Sequence, residues 1–119
     1  MPTTQRLFVL AGGLAGAAGV ALSAVAAHAG GGNIATAASF MLAHAPALLA
    51  IGLVGRGRVL AAGGSILLVG LLLFCADLLL RHYVGDRLFP MSAPIGGTAM
   101  IAGWLVVAAS AFSSGSTKS

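Results

Sequence analysis

Residues 67–86 read LLVGLLLFCADLLLRHYVGD. From Leu67 to Leu80 the run is apolar except for one acid, Asp77, and it is closed by Arg81 and His82. It lacks the polar face that a helix at a water-exposed surface carries. A helix needs about 20 apolar residues to cross a bilayer, and the run that supplies them reaches back from this stretch to about Val59. An ionisable residue inside such a segment is costly, so Asp77 is by default a candidate functional residue.

The rest of the chain has the same character. Of its 119 residues 59% are hydrophobic and 7% charged, against about 25% charged in an ordinary soluble domain. Mean hydropathy is +1.05. So little charge cannot cover a water-facing surface, and the class expected is integral membrane protein. The net charge of +4 comes from six basic and two acidic residues. The basic residues are scattered, with only Arg56 and Arg58 close together, so they form no stripe for a nucleic-acid backbone. The single cysteine, Cys75, allows neither an internal disulfide nor a paired-cysteine metal motif.

Outward from the opening stretch, the apolar runs predict an all-α integral membrane fold. It is an antiparallel bundle of four transmembrane helices in one domain, at about 7–27, 36–54, 59–80 and 95–112. Residues 113–119 form a small polar tail. The first run could also be read as a secretory signal, with Ala27-His28-Ala29 at its end. It is longer than the roughly 7–15 residues of a signal's apolar region, so it is taken as a helix and cleavage as the alternative. Asn33 or Thr36 is the expected cap of the second helix, and Pro46 is expected to kink it.

Gly12, Gly16 and Gly19, continued by Ser23 and Ala27, line one face of the first helix and include a GxxxG motif. Small residues let helix backbones approach in lipid. Packing within one monomer is the plainer reading and self-association the sharper one. Gly96, Gly97 and Gly103 are packing candidates in the fourth helix. Four spans put both termini on one side, with Arg6, Arg56, Arg58 and Lys118 there, against Arg81 and Arg87 opposite. The positive-inside rule then predicts both termini in the cytoplasm, with the inverted topology as the alternative.

Asp77 and Arg81 are spaced i,i+4 and can pair on one helix face. The alternative is an ion or proton site facing the bundle interior. Because the Gly55–Arg58 link is short, the second and third helices are expected to be neighbours. On a rise of 1.5 Å per residue, His44 would lie roughly 10 Å and Asp77 roughly 7 Å below the same boundary. His44 and Asp77 are therefore expected to face inward and meet, directly or through water. His28 and His82 sit toward that same end. Two of the three histidines are at helix ends, where a polar ring is ordinary, so neither metal nor cofactor is expected. Pro94-Ile95-Gly96-Gly97 lacks the Lys-Ser/Thr of a phosphate loop. Trp104 falls near mid-span and reads as a packing residue.

Ser92-Ala93-Pro94-Ile95-Gly96-Gly97, followed by Ile101-Ala102-Gly103-Trp104, resembles the closing signature of a small membrane-protein family of unknown function, number 423 (the UPF0382 group, whose animal relatives are called transmembrane protein 256). Other segments fit in the same order. Gly16 to His28 resembles its Gly/Ala-rich first helix, and Thr36 to Leu49 its second, with His44 as the central histidine. Leu73-Phe74-Cys75-Ala76-Asp77 stands where the family tends to have Leu-Phe-Ser-Gly-Ser. Ser39, Met41 and Ala43 stand where it often has an acid or amide and an aromatic. The resemblance implies a four-helix inner-membrane protein and carries over no catalytic residues.

The function expected is that of a non-enzymatic structural or accessory membrane subunit. Its partners would be the bilayer and further copies or a larger membrane complex, with no nucleic acid. The alternative is a small transporter or channel component using Asp77 and His44. An intramembrane enzyme or metal-binding protein comes last.

Overall fold

The apolar runs become four long helices. In a computed structural model, which describes residues 1–113, they are α1 (Thr3–Ala29), α2 (Gly32–Val54), α3 (Arg58–Tyr83) and α4 (Ser92–Ala109), followed by a single 3-10 turn, Ser110–Phe112. Most of the polar tail, including Lys118, lies outside the described residues. Each helix is long and apolar enough to cross a membrane. The described residues contain no strand.

Several boundaries differ from the sequence reading by three or four residues, and two of them bear on the site. The helix expected from about residue 36 starts at Gly32. The turn before it is completed by Gly30 and Gly31 at φ 75° and 102°, a region that glycine enters without steric cost. Two residues suffice, so Asn33 and Thr36 fall inside the helix and the cap position is Gly31, without a side-chain cap hydrogen bond. The fourth helix likewise starts early, at Ser92. That puts Pro94 in its first turn, where an N–H has no intrahelical partner in any case. Pro46 lies inside α2, which is helical on both sides of it.

α1 packs along α2, α3 along α4, and α2 joins the two pairs through α3. The core is Phe8 of α1, Ala37, Leu48 and Ile51 of α2, Leu67, Leu71, Cys75 and Leu78 of α3, and Met100 of α4. Leu7, Leu10, Leu14, Leu72, Ile101 and Leu105 point outward, each more than half exposed. Such a surface is far more apolar than a soluble monomer presents.

Glycine sets the closest helix approaches. A Cβ on Gly12 would come within 2.9 Å of backbone atoms of Ala45 and Leu49, and one on Gly19 within 2.8 Å of the Leu42 side chain. The small-residue face of α1 is thus turned to α2 of the same chain. Gly16 makes only an ordinary contact, 3.6 Å to Ala45. Between α3 and α4 the approach is reciprocal. A Cβ on Gly70 would lie 2.7 Å from the Gly96 carbonyl oxygen, and one on Gly96 2.9 Å from that of Gly70. Gly63 and Gly103 repeat the arrangement at 3.2 and 3.1 Å. Gly97, expected among the packing glycines, has nothing within 4 Å of where its Cβ would be. Gly63 and Gly70, which the sequence reading passed over, take part instead.

Candidate functional site

Asp77 lies on the inner face of α3 and is completely buried. Its Oδ1 accepts two hydrogen bonds, from the Ser92 hydroxyl at 2.6 Å and from the Leu88 N–H at 2.9 Å. Leu88 belongs to the α3–α4 connector, and Ser92 is the first residue of α4. Ser92 is also fully buried. Bonds to an ionised acceptor are shorter and roughly twice as strong as neutral ones, and here both close the same loop.

Arg81 reaches the other oxygen. Its Nε stands 2.9 Å from Asp77 Oδ2, one helical turn away, with the arginine side chain 32% exposed. The pair meets the distance of an ion pair but not the angles of a hydrogen bond, so neither atom has an aligned hydrogen-bond partner among the described residues. The arrangement is a buried carboxylate held on one side by directed bonds and on the other by charge.

The connector bends to make this possible. Met91 has φ 69°, and it is the non-glycine residue with positive φ among those described. A side-chain-bearing residue held there costs on the order of 1–3 kcal/mol and persists when its surroundings over-determine it. Ser92 N–H donates to Phe89 O at 3.1 Å and Ile95 N–H to Met91 O at 2.9 Å. The Met91 turn thus feeds Ser92 into α4 with its hydroxyl on Asp77.

His44 is buried too, at 6% exposure, but its partners are different. Trp104 Nε1–H of α4 donates to His44 Nε2 at 3.1 Å. An indole N–H can only donate, so Nε2 is the acceptor and the ring proton sits on Nδ1, which donates to Phe40 O at 2.8 Å. Phe40 stacks on the His44 ring at 6.1 Å and meets Phe74 of α3 at 4.6 Å, and Trp104 lies 5.6 Å from the His44 ring. Three helices therefore meet in one aromatic cluster around a neutral imidazole.

The expected meeting of His44 and Asp77 gives way to these two separate constellations. Both ring nitrogens of His44 are engaged elsewhere. Depth explains why. A Cβ on Gly31, at the start of α2, would touch the His82 ring near the end of α3 at 2.6 Å, so those two ends are level. Counted at 1.5 Å per residue from them, Asp77 is about 9 Å deep and His44 about 18 Å deep. The early start of α2 at Gly32 carries His44 past Asp77. The i,i+4 pairing of Asp77 with Arg81, read from spacing, is present.

His28 is exposed at the end of α1, and His82 packs edge-on to Tyr83 at 4.7 Å. Cys75 is buried, with its Sγ 3.7 Å from Ala37 O. No group of three or more His, Cys, Asp or Glu side chains that could hold a metal ion occurs among the described residues.

Sequence reasoning found Asp77, Arg81 and His44 but missed Ser92, Leu88 and Trp104 as their partners. These lie 15, 11 and 60 residues away along the chain. The one available signal was Ser92, a hydroxyl at the start of a helix that follows an acid-bearing one.

No solved structure matches the chain. A family model does, over residues 15–97, a range that takes in His44, Asp77, Arg81 and Ser92 and stops short of Trp104. On that match the chain belongs to the family described as protein of unknown function (DUF423).

Proposed function

We propose that the protein is a multi-pass inner-membrane protein. Its four helices cross the bilayer antiparallel with both termini cytoplasmic, and it serves as a non-enzymatic structural or accessory subunit of a membrane assembly. The observation that carries this reading is how the buried polar groups are used. Asp77 ties α3 to α4 and their connector, and His44 ties α2 to α4. Polar side chains spent on joining helices are what a packing module in lipid needs.

Other features support the placement. α3 has 26 residues, about 39 Å of helix against a hydrocarbon core of about 30 Å. Close contacts pair Gly12 with Leu49, Gly19 with Leu42, Gly63 with Val107 and Gly96 with Phe74. In both helix pairs residue numbers rise on one helix as they fall on the other. Arg6, Arg56 and Arg58 cluster at the end proposed to be cytoplasmic, the side that positive residues favour.

Co-purification of the full chain in mild detergent, followed by mass spectrometry, tests the accessory role. A stoichiometric membrane partner is the expected result. A monodisperse protein that comes through alone overturns the role.

A second reading, a small transporter or channel component, has one observation in its favour: Asp77 Oδ2 lacks an aligned hydrogen bond among the described residues. Ion or proton flux in reconstituted vesicles that is lost in Asp77→Asn would favour it.

A further inference from the structure

At the end where α1 begins and α2 turns into α3, the packed helix pairs leave space between them. A cavity of about 800 Å³ opens there, lined by Gln5, Phe8, Ile51, Arg56, Arg58 and Leu60 among others. Beside it runs a wholly apolar groove of about 330 Å³, formed by Ala47, Ala50 and Val54 of α2, Leu60 of α3, and Trp104 and Val107 of α4. Ile51 and Leu60 line both. The groove exists because α2 and α4 do not pack along one another. The His44–Trp104 hydrogen bond bridges them deeper in.

We propose that this paired feature is a binding site for one anionic phospholipid, with its phosphate between Arg56 and Arg58 and an acyl chain lying along the groove as far as Trp104. The proposal rests on the membrane-spanning reading above and adds a specific partner to it.

Three observations choose this occupant. The mouth is basic and the groove is apolar, the order of a headgroup and its chain. Both arginines are exposed, at the helix ends where headgroups lie. The groove runs from Val54 to Ala47, about 10 Å down the helix at 1.5 Å per residue. That is a depth within the acyl region of one leaflet.

A second copy of the chain fits less well. The chain has two acidic residues. Asp77 is buried about 28 Å along α3 from Arg58, and Asp86 is in the connector at the opposite end of α3. Neither can be set against Arg56 and Arg58 by a copy in the same orientation.

Trp104 is the chain's single tryptophan and is 43% exposed, so it reports contact with lipid directly. The full chain is reconstituted in bilayers of phosphatidylcholine. A fixed fraction of that lipid is replaced by phosphatidylglycerol or by phosphatidylcholine, each carrying bromine midway along its acyl chains, and quenching of Trp104 emission is compared. The brominated anionic lipid should quench in preference to the neutral one. One basic residue near an anionic lipid surface contributes roughly a fivefold preference, so Arg56→Gln with Arg58→Gln should abolish most of it. Arg6→Gln, at the same end but outside the cavity lining, should leave the preference intact.

Filling the groove with Ala50→Leu should lower quenching by the anionic lipid while both arginines remain. Equal quenching by both lipids, or a preference indifferent to Arg56 and Arg58, overturns the site. A preference lost equally in Arg6→Gln also overturns it, because the attraction would then belong to the surface as a whole. Quenching by neither lipid would instead remove the membrane-spanning reading on which the site depends.

Discussion

Ser92 donates its hydroxyl to Asp77 across 2.6 Å, joining the first residue of α4 to the interior of α3 over a separation of 15 residues. The same carboxylate oxygen takes the Leu88 N–H, so one acid fixes both the connector and the start of the next helix. Asp77→Ala should destabilise the protein by about 3–5 kcal/mol, because it removes two hydrogen bonds to a charged acceptor, each worth roughly 1.5–3 kcal/mol. Ser92→Ala should cost about 1–3 kcal/mol. Asp77→Asn keeps an acceptor for Ser92 and Leu88 and should cost less than Asp77→Ala. Unfolding by SDS titration in mixed micelles, followed by circular dichroism, gives the order; equal losses for Asn and Ala at position 77 would contradict it.

A Cβ on Gly96 would meet Phe74 N at 2.7 Å and Gly70 O at 2.9 Å, both backbone atoms that cannot swing aside. Gly96→Ala should therefore force α3 and α4 apart and destabilise by about 1–3 kcal/mol. Gly97→Ala, one residue on, has open space. It should be neutral or stabilising by up to about 1 kcal/mol, from helix propensity alone. The two variants differ by one position, which makes the comparison within the same titration a direct reading of the packed face.

His44 and Trp104 share a hydrogen bond between helices that otherwise stand apart. Trp104→Phe leaves His44 Nε2 without its donor and should cost about 1 kcal/mol. A double-mutant cycle with His44→Phe should return a coupling of about 0.5–1.5 kcal/mol. His44→Phe should also shift the Trp104 emission maximum, since it removes the acceptor of the indole N–H. An unchanged spectrum would mean that the bond does not form in the bilayer.

Cys75 is buried and gives a quiet background for thiol labelling. In inverted and right-side-out vesicles, Thr4→Cys and Arg56→Cys should react with a membrane-impermeant maleimide from the cytoplasmic face. Asp86→Cys should react from the opposite face. All three labelling from one side would refute the four-span topology.

The helices were legible because long apolar runs leave few other structures open to the chain. Their ends were less so. Gly30-Gly31-Gly32 reads as loop from composition, yet only Gly30 and Gly31 are needed for the turn, and the error moved His44 out of reach of Asp77. The Asp77–Arg81 pair was legible because the helical period places it. Leu88, Ser92 and Trp104 were not, because their contacts depend on how separate helices are set against one another. On α1, Gly12 and Gly19 lie close against α2, while Gly16 between them makes only an ordinary contact. Of the face between α3 and α4, Gly96 and Gly103 were read but Gly63 and Gly70 were not, because spacing within one helix does not show which residues its neighbour meets.

The seven-residue spacing of Gly63 and Gly70 has a mechanical consequence. Gly63 and Gly70 on α3 match Gly96 and Gly103 on α4, so the two helices carry the same notch twice at equal intervals. Slid by one interval, Gly70 would find Gly103, and half of the notched contact would survive. The ladder alone therefore prefers its native register by only one notch pair. A slide of seven residues carries Ser92 about 10 Å from Asp77, far beyond any hydrogen bond. The buried acid thus acts as an index pin on a repetitive joint: the glycines set how closely α3 and α4 lie, and Asp77 reinforces the register in which both notches meet.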